Sequence, residues 1–300
     1  MPALLPLERL PPYTWPAMTN KTANSGRPRV GFIGAGNMAR SLASGLLNNG
    51  WDKDEIVVSD PDPGQRRGIE SALSLKTFAD NPDVAAVAEI LVLAVKPQIL
   101  GAVATALAQV VQKKRPLVIS IAAGVRIDDL ARWLGNDLPI VRVMPNTAAL
   151  IGSGASGLYA NERVNEIMRD QAESILRAVG VATWVSEEYL LDVVTALSGS
   201  GPAYFFLVME AMEQAAIESG LDPAQARLLT VETAYGAAKM ALEGHEEPAL
   251  LRRRVTSPGG TTERAVKVLE EGGLRNLFKE AMLAATRRAQ EIADMFGKNT

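Results

Sequence analysis

The chain has 300 residues, of which 47% are hydrophobic and 22% charged, with a net charge of −3; this suits one large domain or two ordinary ones with a real core. The absence of a basic block argues against nucleic acid as a partner, and no apolar run reaches the roughly 18 residues of a membrane span. With no Cys and a single His, disulfides, thiolate or multi-histidine metal sites and a cysteine nucleophile are excluded, so any catalysis leans on a borrowed cofactor.

Residues 1–28 are rich in Pro, Asn, Ser and Thr, lack periodicity, and are expected to form a flexible N-terminal extension. They carry no secretory-signal pattern, Met18 offers an alternative start, and a cytoplasmic protein is expected. From Arg29 onward, Val-, Ile- and Leu-rich runs read as strands: "RVGFI", "EIVVS", "LSLKTF", "EILVLAV", "PLVISI", "PIVRVM", "SGLYA" and "ATWV". Helix-like segments such as 37–49, 98–112 and 162–178 separate several of them, which predicts a mostly parallel α/β sheet covered on both faces over 29–187. After about Glu187 the strands end, and 188–197, 202–219, 223–243, 262–271 and 274–297 read as helices, so 188–300 is expected to be all-α. Helices 202–219 and 223–243 are apolar around most of their circumference, which predicts burial against a second subunit.

The strand "RVGFI" runs into "GAGNMA", placing Gly34, Gly36 and Ala39 between a strand and a helix. Gly34 permits the tight turn, Gly36 lets the backbone approach a pyrophosphate, and Ala39 allows close helix–sheet contact, the fingerprint of a Rossmann-type, doubly wound dinucleotide site. The next strand ends at Ser59-Asp60. An acid there favours the ribose 2′-hydroxyl of NAD, whereas Arg66 and Arg67 nearby favour the 2′-phosphate of NADP, so residue chemistry leaves the preference open. "AVKPQ", "SIAAGV" and "MPNT" close later strands at their carboxyl ends, where open α/β sheets hold ligands. In the helical half, "RRVTSPGGTTERAV" is either a connector, with Pro stopping one helix and Thr capping the next, or an anion site at a helix start. His245, in "LEGHEEP", is expected to be a solvated loop residue, and no metal site is expected.

Together, "GFIGAGNMA", "AVKPQ", "SIAAGV", "MPNT", "LSGSGPAYFF", "GAAKM" and "SPGGTT" followed by "AVKVLEEGG" resemble the Δ1-pyrroline-5-carboxylate reductases, over about residues 29–297. The resemblance implies an N-terminal Rossmann domain and a helical C-terminal domain that dimerises and binds substrate, with assembly up to a decamer built as a pentamer of dimers. It implies reduction of pyrroline-5-carboxylate to L-proline by hydride from NAD(P)H, the last step of proline biosynthesis. NADP(H) stands ahead of NAD(H) in the family, although Asp60 replaces a small hydroxyl residue of its NADPH-using members.

Carried over residue by residue, the resemblance assigns Ile33, Gly34, Ala35, Gly36, Asn37 and Met38 to the phosphate loop and Asn81 to the adenosine ribose. Ala94, Val95, Lys96 and Pro97, with Ile121, Ala122 and Ala123, would wall the nicotinamide half. Gly259, Gly260, Thr261 and Thr262, with Ser257 beside them, would hold the substrate carboxylate. Thr262 would also reach the ring nitrogen, and Glu188 matches an acid near the ring; Arg254 carries no role over. Two competing readings are a β-hydroxyacid or 6-phosphogluconate-type dehydrogenase, for which Lys239 is the nearest acid–base candidate, and a non-catalytic nucleotide-binding protein.

Overall fold

The computed structural model describes residues 27–244 and 246–298, so the expected extension lies outside the described residues except for its last two positions, and His245 lies outside them as well. By its internal contacts the chain divides into two units. One comprises 27–203 with 279–298; the other is Tyr204–Phe278. The division falls inside helices, whereas the sequence places the boundary at 187/188.

The first unit is built on one eight-stranded sheet. Its strands are β1 (Val30–Ile33), β2 (Ile56–Ser59), β3 (Lys76–Phe78), β4 (Ile90–Leu93), β5 (Leu117–Ser120), β6 (Ile140–Met144), β7 (Gly154–Ala160) and β8 (Gly180–Trp184). They lie in the order β3-β2-β1-β4-β5-β6-β7-β8. Every pair is parallel except β6 with β7. Each of the eight predicted strands is present. The helices are α1 (Asn37–Asn48), α2 (Pro63–Leu73), α3 (Asn81–Val87), α4 (Pro97–Lys114), α5 (Ile127–Leu134), α6 (Glu166–Arg177) and α7 (Leu190–Val194).

Strands buried on both faces explain the nearly continuous apolar runs. Val30 and Phe32 of β1 join a core with α1 and α6 residues, including Leu42, Leu46 and Ile175. Ile33 faces the opposite core, with Leu100 and Leu107 of α4 and Leu130 of α5. The doubly wound order reverses direction between β1 and β4, which opens a crevice at their carboxyl ends.

Helix α7 belongs to this unit because β7 leaves room for it. A Cβ at Gly157 would stand 2.8 Å from Val194 and 3.2 Å from Leu191. A π-helical turn, Thr195–Gly199, follows α7, and Gly199 packs on Met144, with a would-be Cβ only 2.6 Å from its Cε. The "MPNT" and "SGSG" segments thus meet: Asn146 Nδ2 donates to Ser198 O (3.0 Å), and its Oδ1 accepts from Ala155 N–H (3.1 Å).

The remaining helices are α8 (Gly201–Glu218), α9 (Pro223–Glu243), α10 (Pro248–Arg254), α11 (Thr261–Glu271) and α12 (Leu274–Lys298). Helix α9 starts as its sequence demands, with Asp222 capping the Ala224 N–H at 2.9 Å and Pro223 at the first position. Helix α10 was not expected. It is short, opens on Pro248, and ties to α11 through Arg252 and Glu270 (2.9 Å). The unit Tyr204–Phe278 exposes Phe205, Phe206, Leu207, Leu228, Tyr235 and Val268, and α11 buries no residue. Helices that the sequence predicts to be covered all round are therefore uncovered in the single chain.

The sequence finds no apolar run long enough to span a membrane, and here the structure corrects it. Leu190–Glu218 forms one 29-residue helical run, and an 18-residue stretch of it has mean hydropathy 1.3, enough by length and composition alone to cross a bilayer. The folded chain joins what Ser-Gly-Ser-Gly-Pro separates in the sequence.

Candidate active site

The crevice between β1 and β4 begins with Gly34, whose φ of 101° suits glycine alone and whose would-be Cβ would lie 2.9 Å from Ala94 O. Gly34 N–H donates to Ser59 O (2.7 Å), which locks the turn after β1 to the end of β2. Gly36 is the N-cap of α1, and a Cβ there would meet nothing within 4 Å. No side chain caps this helix and no acid stands in its first turn, so its orphan N–H groups and positive dipole end face open space. An opening of this kind suits a phosphate group.

Ile33 and Ala35 are buried beneath the loop, while Asn37 is exposed on its rim and Met38 is half-buried. Asp60 turns inward, its Oδ2 accepting from Ala35 N–H (2.9 Å) and its Oδ1 from Asp62 N–H (2.9 Å). Arg66 Nη1 donates to the carbonyls of Asp60 (2.7 Å) and Pro61 (3.1 Å), whereas Arg67 is exposed with no hydrogen bond or ion pair among the described residues. Ser59 is fully buried, and its hydroxyl donates to Asn81 Oδ1 (2.8 Å). Ser59 therefore positions Asn81 and offers no surface of its own.

On the other side of the crevice, Ala94 N–H donates to Ile33 O (2.9 Å), and Ala94, Val95 and Pro97 are half-buried beside the exposed Lys96. Lys96 is the N-cap residue of α4 and Pro97 its first residue, which fixes the direction in which the chain leaves the sheet. After β5, Ile121 N–H donates to Leu93 O (3.2 Å); Ala122 is buried and Ala123 exposed. All these carboxyl-end positions share one edge of the sheet.

Glu188 lies at the start of the segment leading into α7. Its Oε1 accepts from Ile127 N–H (2.8 Å) and pairs with Arg142 Nη1 (3.1 Å). Arg142 is a buried arginine in the middle of β6, and its Nη2 stands 3.5 Å from Asp192 Oδ1, an ion-pair contact without a hydrogen bond. Burial pushes the Asp192 carboxyl above the usual carboxylate range, and Arg142 opposes that push.

In the helical unit, Gly259 has φ 72° and Gly260 is the N-cap of α11. Gly260 N–H donates to Ser257 O (3.0 Å), and Gly259 N–H donates to Glu263 Oε2 (2.8 Å). No side chain caps the helix, and Thr261 and Thr262 are its first two residues. The connector reading expects Thr as the cap; the structure gives that place to glycine. Thr262 is half-buried, and its hydroxyl makes no hydrogen bond among the described residues. The Gly259 and Gly260 N–H groups are thus engaged within the chain, the first by the Glu263 carboxylate, which leaves the Thr261 and Thr262 N–H groups and the Thr262 hydroxyl at a glycine-opened helix start.

Sequence reasoning overlooked Arg40, Arg142 and Glu263. Arg40 Nε donates to Ala35 O (3.0 Å), and its Nη2 reaches Gln65 Oε1 (2.7 Å). The charge inside the otherwise apolar "PIVRVM" was the one signal for Arg142.

The fold and the glycine cradle define the class: a dinucleotide-binding oxidoreductase of Rossmann type with a helical region appended. A family model described as NADP oxidoreductase, coenzyme F420-dependent, matches residues 29–124, and one described as pyrroline-5-carboxylate reductase dimerisation matches 188–292. The chain is 48% identical over 271 residues to the pyrroline-5-carboxylate reductase of Pseudomonas aeruginosa, covering 90% of this chain and 99% of that one. It is 38% identical over 266 residues to that of Escherichia coli, covering 88% and 98%. A solved pyrroline-5-carboxylate reductase from Coxiella burnetii superposes with a TM-score of 0.87 at 46% identity, over 89% of this chain and 99% of that one. The Plasmodium falciparum pyrroline carboxylate reductase, solved with NADP bound, gives 0.77 at 28% identity, over 89% and 98%. The chain belongs to the pyrroline-5-carboxylate reductase family.

Proposed function

We propose that this protein reduces Δ1-pyrroline-5-carboxylate to L-proline with NAD(P)H, closing proline biosynthesis in the cytoplasm. The observation that carries the reading is the pairing of two sequence-encoded anion cradles. One, at Gly34–Met38, suits a dinucleotide; the other, at Gly259–Thr262, suits a small carboxylate. The reduced nicotinamide, when bound, supplies the hydride to the imine carbon.

The chain's own residues bind and orient. The α1 amides and the Gly36 opening receive the pyrophosphate, with Asn81 toward the adenosine ribose and Ala94–Pro97 and Ile121–Ala123 along the nicotinamide half. The N–H groups at the start of α11, with Ser257, take the substrate carboxylate. The Thr262 hydroxyl bonds the ring nitrogen. Glu188, whose Oε1 is already shared by Arg142 and Ile127, contributes negative charge that favours the protonated ring. An imine reacts readily as its iminium, so positioning and charge complementarity suffice without a metal. NADP(H) is the preferred cofactor, and Arg67 is the cation offered to its 2′-phosphate.

The apolar helices of 204–278 pair with a second copy of the chain, which also accounts for the Leu190–Glu218 run without a bilayer. Decamers assemble from such dimers. The test is consumption of reduced nicotinamide when pyrroline-5-carboxylate is added to the purified protein. Turnover of a hydroxyacid instead, or binding without turnover, would refute the reading.

A further inference from the structure

Ala35 is the centre of the phosphate loop, and both polar groups of its backbone are held by charged side chains. Its N–H is accepted by Asp60 Oδ2 at 2.9 Å, and its carbonyl receives Arg40 Nε at 3.0 Å. Neither charged group is held by Ala35 alone. Asp60 Oδ1 accepts from Asp62 N–H at 2.9 Å, and its own carbonyl is gripped by Arg66 Nη1 at 2.7 Å. Arg40 Nη2 reaches the carbonyl and side-chain oxygen of Gln65 at 3.2 and 2.7 Å, and its guanidinium packs where a Cβ on Gly68 would be, 2.6 Å away. The turn after β1, the turn after β2 and the starts of α1 and α2 are thus stitched through the two peptide groups that flank one residue.

The physical need for such stitching is local. Ala35 sits between Gly34 and Gly36, the residue type with the most backbone freedom to lose. An unheld loop would have to be ordered when the cofactor arrives, and that cost weakens binding. The carboxylate's direction also matters. An acid at the end of β2 selects NAD by accepting from the ribose 2′-hydroxyl and repelling a 2′-phosphate, yet here both its oxygens are engaged by backbone amides.

We propose that Asp60 and Arg40 form a latch that holds the phosphate loop in its cofactor-binding shape, with Asp60 a positioning residue and not a ribose ligand. Asp60 then does not discriminate against NADPH, and the two cofactors depend on it equally. The inference rests on the NAD(P)H reading above, but its test needs no substrate.

The experiment titrates the whole purified protein with NADPH and with NADH, following nicotinamide fluorescence, for the wild type, Asp60→Ala, Asp60→Asn, Arg40→Met and the Asp60→Ala/Arg40→Met pair. The latch predicts that Asp60→Ala weakens both cofactors by a common factor of about tenfold or more, the size expected from losing a charge-assisted hydrogen bond. Asp60→Asn, which keeps one acceptor, recovers part of that loss. The double variant loses less than the product of the single losses, because both side chains hold the backbone of one residue. Weakening of NADH alone, or tighter NADPH binding in Asp60→Ala, would overturn the latch and make Asp60 a ribose ligand. A lower melting temperature with both affinities unchanged, or losses that multiply, would overturn it too. If Asp60→Ala does not fold, Asp60→Asn and Arg40→Met carry the same comparison. Wild-type protein that binds both cofactors but leaves pyrroline-5-carboxylate unreduced would sink the proposed function and leave the latch standing.

Discussion

Replacing Thr262 by Ala separates a catalytic hydroxyl from a structural one more cleanly than any other single change. The threonine is the second residue of α11, Gly260 holds the N-cap place, and the hydroxyl bonds nothing among the described residues. Removing it therefore breaks no intramolecular hydrogen bond. Alanine is the better helix former by up to about 0.7 kcal/mol, so the folded protein should be as stable as before or slightly more so. The lost group would be felt only with substrate bound. Orienting a ring nitrogen and assisting its protonation is worth about 10- to 100-fold here, since the imine reacts readily once protonated, which corresponds to ~1.4–2.7 kcal/mol of barrier. The assay is steady-state oxidation of NADPH with saturating pyrroline-5-carboxylate, alongside thermal unfolding and cofactor titration. We expect kcat to fall by that factor with cofactor affinity held and the melting temperature not lowered, and Thr262→Ser to keep most of the activity. A variant that loses about 1 kcal/mol of stability while keeping kcat would show that Thr262 is a cap after all.

Gly34→Ala places a methyl 2.9 Å from Ala94 O at φ 101°, so it should cost about 1–3 kcal/mol of stability and weaken both cofactors; unchanged titrations with either would contradict the crevice geometry. Arg67→Ala should raise the KM for NADPH by about tenfold and leave that for NADH level, and equal changes would reduce Arg67 to solvation of α2. Arg142→Met strands Asp192 and should destabilise the fold by about 3–5 kcal/mol in urea denaturation at neutral pH, with Asp192→Asn on top restoring much of the loss; additive losses would count against the pairing. Because the Asp192 pKa is raised, the folded protein keeps this proton where the unfolded chain, near 3.9, has lost it. The stability it contributes is complete below that value and is lost as pH climbs through the raised pKa, so Asp192→Asn should flatten that fall; a curve unchanged in shape would refute the assignment. Phe206→Glu, on an exposed apolar face, should shift the molar mass measured by sedimentation toward the monomer, and an unaltered oligomer would place the interface elsewhere.

What could be read from the chain was what depends on neighbours in sequence. Strand runs such as "EILVLAV", the glycines of "GAGNMA" and the Asp222-Pro223 cap are local patterns, and a helix or strand forms or fails within them. The Ser-Pro-Gly-Gly-Thr-Thr helix start was legible for the same reason, although not that glycine takes the cap and leaves Thr262 free. Tertiary structure decided the rest, because those outcomes depend on groups brought together from distant segments. Asp60 reads as a ribose acceptor until the loop after β1 comes within 2.9 Å of it. Arg142 reads as a misplaced charge until Glu188 and Asp192 arrive from beyond β8. The apolar circumference of helices 202–219 and 223–243 was legible too, and with it the expectation that a second subunit covers them. The fold adds that Phe205, Phe206, Leu228 and Tyr235 are uncovered in the single chain, because burial is a property of what packs against a face.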